Sequence, residues 1–159
     1  MTNKYYSYIV IFMDTKADNK TLMETFYRRS KENGLKITPQ RSAIYQELLK
    51  AKDHPSADII YKRLVKRIPN ISFDTVNRTL LTFSRIGIAK IVEGYGQPKR
   101  YDPDIDIHHH FRCMKCNNII DFHNKDYDNI TVPEEINMQF TIINKKVVLE
   151  GLCTKCRRL

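Results

Sequence analysis

The 159-residue sequence predicts an α+β protein in two parts: a winged helix-turn-helix, then a small C-terminal domain built around a Cys₄ zinc site. Three observations predict it. All four cysteines of the chain fall into two Cys-x-x-Cys pairs, Cys113/Cys116 and Cys153/Cys156. Four helix-like segments precede Gly87, and a basic hairpin follows it. Charge is split along the chain: residues 1–100 carry 19 Lys and Arg against 9 Asp and Glu, whereas residues 101–159 carry 8 against 9.

The first helix is expected over Leu22 to Asn33, with Gly34 as its C-terminal stop. Thr38 is a good N-cap and Pro39 fits a first turn, so a second helix starts there, with Ile44 and Leu48 on its apolar face. Ser56 caps a third, on which Ile60, Leu64 and Ile68 form one stripe before Pro69 and Asn70 break it. Ser72 caps a fourth, with Val76, Leu80 and Phe83 inward and Gly87 ending it. Its first turns expose Asp74, Thr75, Asn77 and Arg78; Asn and Arg can read adenine and guanine edges in the major groove, and the start of a recognition helix is where such residues belong. Two short strands, Ile88 to Glu93 and Lys99 to Asp102, flank the glycine-rich turn Gly94-Tyr-Gly-Gln-Pro98 and make a basic wing. Arg41 and Lys99 join the candidate DNA contacts, and duplex DNA is the partner that the +10 balance of this half fits.

Tyr5-Tyr-Ser-Tyr-Ile-Val-Ile-Phe12 is the most apolar stretch, too short to span a bilayer and without a small-residue cleavage signature. It reads as a short strand or as part of an N-terminal extension, residues 1–20, of unassigned role. With no secretory signal and no membrane segment, a cytoplasmic protein is expected, and disulfides are not. The domain boundaries drawn are 21–102 for the winged helix and 103–159 for the metal-binding part.

A Cys-x-x-Cys pair on a tight turn aims both sulfurs at one ion, and two pairs complete a closed tetrahedral site that suits Zn²⁺ and leaves no position for substrate. A second cluster of ligand types lies nearby. His108 and His110 share one face of a strand, Asp102 ends the second wing strand, and Asp121 follows Cys116. His109 should be exposed on the opposite face, and His123 is left open as a surface or core residue. His54 is far back between the second and third helices, and nothing local assigns it to either site. Mixed N/O donors without thiolate suit Fe²⁺, Mn²⁺ or Zn²⁺.

From about Leu22 to Cys156 the chain resembles the ferric uptake regulator superfamily of bacterial metal-dependent repressors. The resemblance rests on Gly34-Leu-Lys-Ile-Thr-Pro-Gln-Arg41, His54-Pro-Ser-Ala-Asp-Ile-Ile-Tyr61, His108-His-His-Phe-Arg-Cys-Met-Lys-Cys116 and Gly151-Leu-Cys-Thr-Lys-Cys156. It implies a homodimer whose C-terminal part is an α/β dimerisation domain with a structural Cys₄ zinc. It also implies a regulatory Fe²⁺ or Mn²⁺ at the hinge, held by His54, Asp102, His108, His110 and Asp121. Asp at 121, where iron-sensing members tend to have Glu, is similar to the peroxide-responsive branch. That branch implies H₂O₂ as the signal and oxidation of His54 or His108. The chain departs from the family in having Asn77 where the recognition helix usually carries Tyr, and residues 1–20 have no counterpart.

The competing readings are an iron, zinc or manganese uptake regulator on the same fold, a zinc enzyme, and a zinc-ribbon module without DNA binding. A closed Cys₄ site cannot activate water, and neither a deaminase signature nor a phosphate-binding glycine loop is present, so the sequence speaks against an enzyme.

Overall fold

The computed structural model describes residues 19–92 and 98–158; the apolar stretch Tyr5–Phe12 and residues 93–97 of the wing turn lie outside the described residues. Four helices come first: α1 (Asn19–Glu32), α2 (Pro39–Lys50), α3 (Ala57–Leu64) and α4 (Phe73–Arg85). Their starts follow capping chemistry. The side-chain oxygens of Thr38, Ser56 and Ser72 accept from the backbone N–H of Arg41, Ile59 and Thr75, satisfying donors that a helix start leaves open. Two ends are equally explicit. Leu35 N–H bonds Ser30 O at 2.8 Å and Ile88 N–H bonds Phe83 O at 3.0 Å, closing α1 and α4 around Gly34 and Gly87, which take φ of 64° and 71°. At Gly87 a Cβ would also stand 2.4 Å from Arg29 Nη1, so glycine serves both the turn and the arginine packed over it.

α3 is shorter than its stripe predicts. It ends at Leu64, and the chain continues as turns in which Ile68 N–H still reaches Leu64 O at 2.9 Å, leaving Ile68 half-buried. The helices enclose one core, with Phe26, Ile44, Leu48, Ile60, Leu64, Val76, Leu80 and Phe83 fully buried. Phe26 stacks on Tyr45 at 4.8 Å between centroids, and Phe83 meets both rings edge-on. Strands β1 (Lys90–Val92) and β2 (Arg100–Asp102) pair antiparallel, Ile91 opposite Tyr101, and Tyr101 closes the core from the wing side.

The C-terminal part holds β3 (His109–Cys113), β4 (Ile119–Phe122), the short helices α5 (Lys125–Asp128) and α6 (Glu134–Gln139), β5 (Val148–Gly151) and a final turn of helix, α7 (Thr154–Arg157). The sheet order is β4-β3-β5; β3 runs antiparallel to β4 with His110 opposite Asp121, and parallel to β5 with Phe111 opposite Leu149. Among its described residues only Cys113 and Ile119 are buried hydrophobics, whereas Met138, Phe140, Ile143 and Leu152 are at least half exposed. So small an apolar interior needs another source of stability, such as a metal or a partner. Among the described residues no helix is long and apolar enough to cross a membrane.

Candidate metal centres

The cysteine cluster is built by two turns. Cys113 ends β3; Met114 N–H bonds Gly151 O at 2.8 Å, and Asn117, at φ 56°, turns the chain so that its N–H reaches Cys113 O at 2.8 Å. Cys153 is the N-cap of α7 and Cys156 lies on its single turn. The four sulfurs, all free thiols, lie within 4.8 Å of one another. Cys116 Sγ is 3.8 Å from Cys153 Sγ. Sulfurs about 2.3 Å from a central zinc form a tetrahedron with edges of about 3.8 Å, so the spacing fits the ion. The backbone N–H groups of Cys116 and Cys153 lower the Cys113 thiol to about 6, while burial and the neighbouring thiols push Cys156 up to about 12. A fully buried Cys113 that already favours thiolate suits a structural ligand.

The second cluster gathers five donors from across the chain. His54 comes from the loop between α2 and α3, Asp102 from the end of β2, His108 and His110 from the start of β3, and Asp121 from β4; one donor atom of each lies within 4.8 Å of the others. His108 Nε2 is 2.8 Å from Asp102 Oδ2 and 3.0 Å from His110 Nε2. His54 Nε2 is 2.7 Å from Asp121 Oδ1 and 3.4 Å from Asp102 Oδ2. Ligands about 2.1 Å from an ion are separated by about 3.0 Å along an octahedral edge, so these separations are those of a coordination shell. The donor set is nitrogen and oxygen only, as divalent iron or manganese prefers.

Electrostatics agree with the geometry. Burial opposes charge on His54, but hydrogen bonding and attraction from Asp102 and Asp121 outweigh it and raise its pKa to about 9. Burial likewise opposes charge on His108, but Asp102, the Asp106 carbonyl and Asp104 together outweigh it and raise its pKa. Burial pushes the Asp102 carboxyl up, but His108, His110 and His54 hold it far below the usual carboxylate range.

His109 corrects the expectation of an exposed ring. It is 1 % exposed, on the opposite face of β3 from His108 and His110 as alternation requires, but α5 covers that face. Its ring lies against Phe122 and Tyr127, Val147 N–H donates to its Nδ1 at 3.3 Å, and its Nε2 faces Asp128 Oδ1 at 3.1 Å. His123 is exposed.

The candidate DNA contacts lie on two helices and the wing. Asp74 and Arg78 are exposed on α4 and lie 3.4 Å apart, Thr75 shares a hydrogen bond with the Ser72 hydroxyl, and Asn77 is half-buried. Arg41, in the first turn of α2, donates to Lys36 O, and Lys99 is exposed just before β2. One further residue gave no sequence signal. Arg100 reaches from β2 to the backbone carbonyls of Asp53 and His54. A guanidinium bonded to carbonyls leaves no spacing pattern to read.

A winged helix joined to a sheet that carries a cysteine cluster and a separate N/O cluster suits one class of protein: a metal-responsive transcription regulator. The sequence pattern of the ferric uptake regulator family matches residues 32–150, and the chain belongs to that family. It is 35% identical over 124 residues to the peroxide-responsive repressor PerR of Staphylococcus epidermidis, covering 78% of this chain and 83% of that one. It is 34% identical over 128 residues to the peroxide operon regulator of Bacillus subtilis, covering 80% and 88%. Among solved structures it is similar to the Helicobacter pylori ferric uptake regulator, at TM-score 0.70 and 22% identity over 87% of this chain and 93% of that one. It is also similar to a zinc-bound manganese uptake regulator, at TM-score 0.61 and 26% identity over 84% and 98%.

Proposed function

We propose that the chain is a homodimeric, metal-dependent repressor that binds operator DNA through residues 21–102, dimerises through residues 103–159 and senses hydrogen peroxide by oxidation of its own ligand histidines. The observation that carries the reading is the convergence of His54 and Asp102 from the winged-helix side with His108, His110 and Asp121 from the C-terminal side. Holding one divalent iron or manganese ion, these five side chains fix the orientation of the winged helix against the sheet. In a dimer this sets the separation of the two α4 helices and hence the half-site spacing they can read. Metal affinity and operator affinity are then linked, each favouring the same conformer by the same factor. Cys113, Cys116, Cys153 and Cys156 serve as structural zinc ligands, and Arg41, Asp74, Thr75, Asn77, Arg78 and Lys99 face the DNA.

The exposed Ile136, Met138, Phe140 and Ile143 support dimerisation, because large apolar side chains left open in one segment are commonly covered by a partner. Asp121 and the relatives named for peroxide response support the finer reading. Iron held by these residues would lend the electron that cleaves the O–O bond of H₂O₂ and regain it from the oxidised ring. The C2–H of His54 or His108 becomes C2–O, one oxygen of the peroxide is retained in the ring and the other leaves as water. A 2-oxo-imidazole is a poorer donor, so the clamp loosens and the repressor leaves DNA.

Peptide mass spectrometry of the iron-loaded protein before and after micromolar H₂O₂, beside a manganese-loaded control, tests this. One added oxygen on His54 or His108, with iron alone, is expected. Unmodified histidines in an intact, iron-loaded protein would move the assignment to a metal-uptake regulator of the same family.

A further inference from the structure

His54 sits in an unusual backbone conformation. Its φ is 46°, in the left-handed region that side-chain-bearing residues seldom occupy, and the proline that follows restricts it further. Such a conformation persists only where the surroundings over-determine it. Here the surroundings are the wing. Arg100 on β2 sends Nη2 to Asp53 O at 2.6 Å and Nε to His54 O, a two-pronged grip on consecutive carbonyls. Beside it Tyr101 N–H bonds Pro55 O at 3.1 Å, and Ser56 bridges to Arg100 along the same edge. The far side of the loop is fixed by Arg63 of α3, whose Nη2 is 2.8 Å from Asp53 Oδ2. β2 thus pairs with β1 on one edge and with the His54 loop on the other, and it ends at Asp102.

We propose that Arg100 is a positioning residue: from the wing strand it holds His54 in its left-handed conformation, so that His54 and Asp102 form one preassembled half of the regulatory metal site. This rests on the reading of His54 as a ligand given above. The guanidinium is required because two carbonyls on adjacent residues face one planar fork; a lysine ammonium is a single point and cannot span both in that geometry. The arrangement also makes the wing and the N-terminal donors a single mechanical unit. The clamp is then the docking of two preformed halves, not the collection of five independent side chains. Arg100 touches no ion and acts only through His54.

A double-mutant cycle on the full-length, zinc-containing protein tests this, reading Mn²⁺ affinity by titration, zinc content and thermal midpoint. Arg100→Gln is expected to weaken Mn²⁺ binding about 10–100-fold, the usual effect of removing a group that orients a ligand, while the Cys₄ zinc is retained. In a His54→Ala background the same change should do nothing further, because the residue it positions is gone. Full Mn²⁺ affinity in Arg100→Gln overturns the proposal, and so does an equal further loss in the His54→Ala background. If Arg100→Gln does not fold, Arg100→Lys decides: an intermediate affinity supports the two-pronged grip, and affinity equal to the parent's overturns it. The separate failure of the ligand assignment has its own signature, which is His54→Ala binding Mn²⁺ as tightly as the parent.

Discussion

His54 Nε2 and Asp121 Oδ1 stand 2.7 Å apart, one on a loop between helices of the winged-helix half and the other on a strand of the C-terminal sheet. The contact joins the two halves through a pair that, without an ion, is held by a proton. That proton gives the first prediction. The His54 pKa is raised to about 9 in the folded protein. An unfolded histidine titrates near about 6.5, so the stability this group contributes to the metal-free protein is full below that pH and is lost as pH rises through about 9. A metal needs the neutral ring. Between pH 7 and 9, Mn²⁺ binding should therefore release about one proton from His54, besides any from His108, and His54 alone should strengthen it by up to about tenfold per pH unit. Calorimetric titration in two buffers of different ionisation enthalpy measures this directly. No proton release would place His54 outside the site.

Asp121→Glu extends one carboxylate by a methylene at the position opposite His110 in the β3–β4 ladder. Under the proposed reading it should preserve Mn²⁺-dependent repression and blunt the response to H₂O₂, because the peroxide chemistry depends on how closely the iron is held to the histidines. Operator binding after graded peroxide treatment compares the two proteins. Equal sensitivity would argue against a peroxide sensor.

Much of this arrangement was readable beforehand, and for local reasons. Thr38, Ser56 and Ser72 announce helix starts because a cap's oxygen bonds a backbone N–H within its own turn. The cysteine spacing is legible because two turns suffice to converge four sulfurs. His54 was not legible from pattern, since its place depends on Arg100 and a left-handed φ that no neighbour in sequence encodes. His109 shows the other limit. Alternation along β3 says which side the ring faces, but not that α5 will fold back and cover it. The open apolar surface around Met138 and Phe140 was equally hidden, because hydrophobic residues in sequence do not declare which remain uncovered.

Cys113 is the one fully buried thiol of the four. Under the proposed reading, Cys113→Ser removes a zinc ligand whose metal binding contributes folding free energy to a region with few buried apolar side chains. The expected result is loss of one equivalent of zinc, loss of the dimer by light scattering and a melted C-terminal part. Removing one ligand of a structural site is expected to cost several kcal/mol. A stable dimer with no zinc would overturn the Cys₄ assignment.

Asn77 and Lys99 should separate reading from positioning. Asn77 lies within the first two turns of α4, where its amide can meet a base edge, and Lys99 is exposed beside the wing, where under the proposed reading it meets backbone phosphate. Asn77→Ala is expected to cost about 1–3 kcal/mol on the specific operator and almost nothing on unrelated duplex DNA. Lys99→Ala should weaken both alike and reduce the salt dependence of binding by about one counterion, since each phosphate contact releases roughly one. Titrations at several salt concentrations on specific and scrambled duplexes distinguish the two. If Asn77→Ala lowers affinity uniformly across sequences, that side chain orients the helix and the bases are read elsewhere on α4.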